Sequence, residues 1–243
     1  MKIQPEIVFE DDQLVIVNKP ADFLTIPDRQ RKDVSSLVQW LREKYGEIFI
    51  VHRLDRETSG IICFARNAEA HRNLSIQFEK RKTTKHYYAI VEGRPEPTGR
   101  IEIGLEPHPA FPGKMKPTRQ GKQSLTEYTV LEQFRDHALV RCDIYTGRMH
   151  QIRVHMAYVK HPLSVDYLYG NHDKFFLSSV KKAKGGYKLS KNEEEERPLM
   201  ARTTLHAKSL TLAHPTTGET MTFECDPPKD FQAMLTQLGK WGK

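Results

Sequence analysis

The feature that most constrains this chain is a pair of apolar runs, Ile48-Phe49-Ile50-Val51 and Ile61-Ile62-Cys63-Phe64-Ala65, separated by the charged stretch His52-Arg53-Leu54-Asp55-Arg56-Glu57-Thr58-Ser59-Gly60. Short runs rich in β-branched and aromatic residues, bounded by polar turn residues, read as strands. A segment joining two such strands is a loop on a rigid scaffold, a frequent place for functional side chains. Here one carboxylate, Asp55, stands between Arg53 and Arg56 and just before a Thr-Ser-Gly turn. Flanking cations keep a carboxylate ionised, the state in which it acts as a nucleophile. From the loop alone, a surface ion pair of Asp55 with Arg53 or Arg56 accounts for the pattern at least as well.

Strand signals recur along the chain. Residues 7–19 form two β-rich segments split by an acidic turn, a hairpin ended by Lys19-Pro20. Asp33 or Ser35 is a candidate cap for a helix to Tyr45, with Leu37, Trp40 and Leu41 on one face and Gly46 at its end. Asn67 caps a second helix to about Arg81, with Ala70, Leu74 and Phe78 facing inward. Further strands are expected at 86–91, 101–103, 124–131, 138–144, 204–212 and 221–224, and a helix from Thr146-Gly147 to about Lys160, stopped by His161-Pro162. Residues 107–122, with four prolines and the cations Lys114, Lys116, Arg119 and Lys122, read as an exposed basic loop. Residues 173–198 carry blocks of like charge and read as a surface insertion with a hairpin around Gly185-Gly186. No internal repeat is visible, so residues 1–243 are expected to form a single domain of about the size one core supports.

Charge and motif content narrow the chemistry. Lys plus Arg number 38 against 31 Asp plus Glu, a net charge of +7, which suits a polyanion such as RNA or DNA better than a neutral metabolite. Cys63, Cys142 and Cys225 form no C-x-x-C pair, so neither disulfides nor zinc are signalled. His150 and His155 are five residues apart, about 140° around a helix, whereas two metal ligands on one face need a spacing of three or four. No phosphate-binding glycine loop is present, so no nucleotide cofactor is expected. Ser59 lacks the elbow of a serine hydrolase. Asp55-Arg56-Glu57-Thr58 is superficially like the D-x-D-x-T of phosphoaspartate phosphatases, but its second acid is one methylene longer. Without a signal peptide or a run of 18 apolar residues, a cytoplasmic protein with no membrane contact is expected.

Taken together, the ordered set Lys19-Pro20-Ala21, His52-Arg53-Leu54-Asp55 with Thr58-Ser59-Gly60, Lys85-His86-Tyr87-Tyr88-Ala89, Thr146-Gly147-Arg148-Met149-His150-Gln151-Ile152-Arg153-Val154-His155, Asp166 with Tyr169-Gly170, and Leu205-His206-Ala207 resembles the RluA-type family of RNA pseudouridine synthases. The resemblance runs from about residue 8 to 231. It implies an α+β fold with a mixed, largely antiparallel central sheet, flanking helices and a basic cleft. It further implies Asp55 as the essential carboxylate, Arg153 paired with it, Tyr87 against the uracil, and Leu205 as an apolar wall. Arg53 would fill the stack left by a flipped-out uridine, and Lys114, Lys116 and Arg119 would hold the RNA backbone. No cofactor and no metal are implied, and the partner would be a stem-loop of ribosomal or transfer RNA, bound by a monomer without an S4 domain. Asp22 replaces the family's glycine after Lys-Pro-Ala, and Val165 replaces the one before Asp166. The rivals are an inactive RNA-binding protein of the same fold and an Asp-dependent phosphatase.

Overall fold

In this computed structural model residues 4–28, 35–181 and 195–242 are described. Asp11 makes the first turn: its carboxylate accepts the backbone N–H groups of Gln13 and Leu14, both at 2.8 Å. The strands on either side, β1 (Glu6–Glu10) and β2 (Leu14–Lys19), therefore pair antiparallel. Helix α1 (Leu37–Tyr45) starts at Ser36, whose side chain accepts from Gln39 N–H while the Gln39 side chain returns to the Ser36 backbone. The cap is thus one residue beyond Ser35, and Asp33 lies outside the described residues. Strand β3 (Phe49–Ile50) precedes the Asp55 loop, β4 (Ser59–Ala65) follows it, and α2 (Ala68–Glu79) is capped by Asn67 as expected.

Next come β5 (Thr84–Glu92), β6 (Thr98–Glu102), β7 (Leu105–Pro107), β8 (Met115–Pro117), β9 (Leu125–Gln133), β10 (His137–Ile144) and α3 (Gln151–Tyr158). After them lie α4 (Leu177–Lys181), β11 (Leu205–Ala213), β12 (Thr220–Glu224) and α5 (Lys229–Trp241). The pairing of β7 with β8 turns the expected basic loop into a small antiparallel hairpin. Helix α5 carries Phe231, Met234 and Leu238 buried at helical spacing, a pattern the sequence reading passed over. The hairpin expected around Gly185-Gly186 falls outside the described residues.

The chain divides into two compact units interleaved in sequence. The first comprises residues up to Tyr87, 143–147 and 206–227. Its strands run in the order β1-β2-β4-β11, with β12 on β11 and β3 on β4; β4 and β11 are parallel, and β2 with β1, β2 with β4, β3 with β4 and β12 with β11 are antiparallel. Every residue of β4 is buried, and Ile61, Cys63 and Ala65 pack with Leu14, Ile16, Leu74 and Leu210 in one core. The second unit comprises 88–142, 148–205 and 228–242, with strands in the order β5-β10-β9-β6. Its core joins Ile90, Phe134, Val165 and Met200 to the buried face of α5. Val165, at the position where the family has glycine, is 1% exposed and belongs to that core. The architecture is α+β, with mixed and mainly antiparallel strands.

Candidate active site

Asp55 lies in the first unit, on the segment between β3 and β4, and is half-buried. That segment has no regular structure, yet its main chain is closely held. Thr25 Oγ1 donates to the Leu54 carbonyl at 2.7 Å and accepts the Leu54 N–H at 3.3 Å. Lys19 is completely buried, and its Nζ donates to the carbonyls of Pro20 (3.0 Å), Phe23 (2.8 Å) and Arg56 (3.0 Å). The ammonium thereby clasps the Lys-Pro turn to the residue after Asp55. Thr58 N–H closes the loop onto the Asp55 carbonyl at 3.1 Å. Asp22 takes the left-handed conformation (φ 59°) that the family fills with glycine, one that Asp tolerates better than most side chains, and its carboxylate accepts from Arg56 Nε at 2.6 Å.

Two histidines, one half-buried and one fully buried, fix the ends of this loop. His52 Nε2 accepts the Cys63 N–H at 3.0 Å, so its proton resides on Nδ1, and the ring stacks on Phe78 at 4.6 Å. Burial, with the Lys85 charge second, pushes the imidazole down to about 3. At the other end His206 Nε2 faces the Cys225 carbonyl at 3.2 Å and must donate to it, so Nδ1 accepts from the Ser59 hydroxyl at 2.9 Å. The neighbouring Gly60 has φ 115° and no room for a side chain: a Cβ there would overlap the Ala207 carbonyl oxygen, with which β4 and β11 are in register. That is the physical reason for Thr58-Ser59-Gly60.

Tyr87, on β5, is 8% exposed. Its phenol is pushed well above the usual range, first by burial and then by the negative charge of Asp55, so Tyr87 and Asp55 are electrostatic neighbours. Lys85 lies on the same face of the strand, two residues back, and burial lowers its ammonium to about 8. Arg53 is exposed.

In the second unit Arg153 is 2% exposed on α3. Its Nε and Nη2 donate to the two oxygens of Asp166, both at 2.7 Å, a bidentate buried pair. Asp166 Oδ1 also accepts the N–H groups of Leu168 (2.9 Å) and Tyr169 (3.1 Å). Gly170 completes this turn because a Cβ there would press on the Asp166 and Leu163 carbonyl oxygens, at 2.8 and 3.0 Å. His155 hydrogen-bonds to Ser124 and Thr126, both at 2.9 Å, and burial lowers it to about 4. It is part of the packing of α3. Among the described residues no group of three His, Cys, Asp or Glu side chains is arranged to hold a metal ion.

The remaining sequence candidates separate. Lys114 places its ammonium 5.4 Å from the Tyr169 ring centre, Lys116 pairs with Glu106 at 3.0 Å, and Arg119 is exposed. Leu205 is 4% exposed at the start of β11. Lys19 and Asp166 stood in the motifs without a role, since a sequence does not show that a charged side chain is buried. Thr25 carried no signal at all.

A family model described as RNA pseudouridylate synthase matches residues 13–158, which include Asp55, Tyr87 and Arg153. The chain belongs to this family. Ribosomal large subunit pseudouridine synthase D of Vibrio cholerae is 36% identical over 242 residues, covering 96% of this chain and 70% of the relative. The protein of the same name from Pseudomonas aeruginosa is 35% identical, covering 97% and 72%. Among solved structures, human RNA pseudouridylate synthase domain containing 4 superposes with a TM-score of 0.71 at 26% identity, covering 96% of this chain and 92% of that one. Human RNA pseudouridylate synthase domain containing 1 follows at 0.69 and 26%, over 93% and 84%. The protein is accordingly an RNA pseudouridine synthase, an isomerase, and the phosphatase alternative falls away. No helix among the described residues is long and apolar enough to cross a membrane.

Proposed function

We propose that this synthase isomerises uridine in ribosomal RNA of the large subunit, the substrate named for its bacterial relatives, with Asp55 as the nucleophile. The observation that carries the reading is the Asp55 loop: a carboxylate on a main chain held by Thr25 and Lys19, with a buried phenol as its electrostatic neighbour. An ionised carboxylate at neutral pH can add to the uridine and leave again without a cofactor. In the net reaction the N1–C1′ bond breaks, the ring turns, and a C5–C1′ bond forms. The C5 proton leaves to solvent and N1 gains one, so the product is an isomer.

Arg153 is the positioning residue for that carboxylate. Its Nε and Nη2 are fixed by Asp166, which supports a guanidinium of set direction. Tyr87 remains protonated at neutral pH, so it offers a ring surface and a hydrogen-bond donor. Any part in removing the C5 proton requires it to pass its own proton on in the same step. Leu205 walls the uracil. Arg53, being exposed, is suited to fill the space of the extruded base in an RNA stem-loop, at an unstacking cost of a few kcal/mol. Lys114, Lys116 and Arg119 would neutralise phosphates, each making log affinity fall by about 0.7 to 0.9 per tenfold rise in salt. In this reading residues 1–243 work as one catalytic entity and as a monomer; of the expected insertion 173–198, residues 182–194 lie outside the described residues, and Phe175 and Val180 belong to the core of the second unit rather than to its surface.

The test is release of tritium from large-subunit RNA transcripts labelled at C5 of uridine. Wild-type protein should release it and Asp55→Asn should not. Absence of release from any ribosomal RNA would overturn the substrate, and full activity of the variant would overturn the role of Asp55.

A further inference from the structure

The hydroxyl of Tyr169 joins parts of the second unit that the sequence keeps far apart. It accepts the backbone N–H of Met115, on β8, at 2.7 Å. It is also 2.8 Å from Nδ1 of His150, the left-handed residue (φ 56°) immediately before α3 and three positions before Arg153. The ring is faced by two cations: the Arg153 guanidinium carbon lies 5.2 Å from its centre and Lys114 Nζ 5.4 Å. Its backbone N–H goes to Asp166 Oδ1, the oxygen that also holds Arg153 Nη2. Around it Leu105 and Met115 of the hairpin pack with Val154 of α3.

These contacts have different physical weights. A hydroxyl shared by a buried N–H and an imidazole is directional, and losing it leaves two polar groups to find new partners. The ring contacts are broad attractions of two cations to one aromatic ring. Removing the hydroxyl alone therefore loosens the hairpin from α3, whereas removing the ring also takes away a surface against which the guanidinium rests.

We propose that Tyr169 is a positioning residue that fixes the basic β7–β8 hairpin relative to Arg153, so that grip on the RNA backbone and aim of the guanidinium are set by one side chain. The proposal rests on the reading above, in which Lys114 binds phosphate and Arg153 orients Asp55. Its test keeps binding apart from catalysis. Affinity for a ribosomal RNA transcript is measured by filter retention over a series of salt concentrations, beside tritium release, for wild type, Tyr169→Phe, Tyr169→Leu and Lys114→Gln.

Tyr169→Phe should weaken binding about tenfold and lower the salt slope by about 0.7 to 0.9, as Lys114→Gln does. Its loss in kcat should be smaller than its loss in affinity. The double variant Tyr169→Phe/Lys114→Gln should bind no worse than the weaker single one, because both remove the same contact. Tyr169→Leu should in addition lose at least tenfold in kcat. Tyr169→Phe with wild-type affinity and salt slope would overturn the proposal, as would additive effects of the two substitutions. So would equal kcat losses for Phe and Leu, the mark of a merely structural role. If wild-type protein bound the transcript without releasing tritium, the proposed substrate would fail while the binding comparison still decided the role of Tyr169.

Discussion

The loop carrying Asp55 and the helix carrying Arg153 are fixed in opposite ways. Around Asp55 the main chain has no repeating hydrogen bonds of its own, so side chains supply them: Lys19 to three carbonyls, Thr25 to both polar groups of Leu54, His52 to Cys63 N–H. On α3 the backbone is satisfied by the helix, and the holding is done at the tip of the side chain, by the carboxylate of Asp166. The difference teaches where each region is vulnerable. The loop depends on residues that never need to touch a substrate. The arginine is held at its tip by a buried counter-charge, which its backbone position alone does not supply.

The largest effect should come from removing that counter-charge. Asp166→Ala removes the bidentate carboxylate from a buried guanidinium, and urea unfolding should show a loss of about 3 to 5 kcal/mol. A variant as stable as wild type would mean that the helix, and not the pair, holds Arg153.

Acid should next single out the loop. His52 is neutral in the folded protein down to about pH 3, whereas in the unfolded chain it takes up a proton near 6.5. Between those values only the unfolded state gains the proton from this group, so stability falls as pH drops from 6.5 toward 3, by up to about 1.4 kcal/mol per unit. In His52→Gln, whose amide oxygen can still accept the Cys63 N–H, unfolding at pH 7 and pH 5 should show a shallower acid loss. An identical slope would remove His52 from the account.

Lys19→Met should be smaller in stability, about 1 to 3 kcal/mol for carbonyls left without their donor, but should reach activity. Tritium release should fall with the variant still folded by circular dichroism, and a fully active Lys19→Met would show that the ammonium does not hold the loop. At the bottom of the scale stands Arg56→Ala. The Arg56–Asp22 pair is 42% and 68% exposed, and such pairs contribute about 0 to 1 kcal/mol, less at high salt. A loss above 2 kcal/mol would make this surface pair part of the loop's frame and erase the distinction drawn between its exposed and buried charges.

Much of this was legible beforehand because local chemistry decides it. The first hairpin, the Asn67 cap and the strands at 124–131 and 138–144 follow from residues close in sequence, and the structure has them all. The hairpin of β7 and β8 was not legible: its proline-rich strands carry no alternation, and they pair because Leu105 and Met115 find Val154 of a helix some forty residues on. Helix α5 did announce itself in Phe231, Met234 and Leu238, and was missed for want of a strong cap signal, its N-cap being Pro228 with no side-chain bond.

By itself the sequence determined the family and pointed to Asp55, Tyr87 and Arg153 as candidates. These depend on residue type and spacing, which the chain states directly. Only the tertiary structure decided which charges are buried and what they hold. Lys19, Asp166 and His52 look like any other polar residues in the one-letter string. Their roles arise because burial removes water as a partner, so each must find a carbonyl, a guanidinium or an amide inside the protein, and the fold alone brings those within 3 Å.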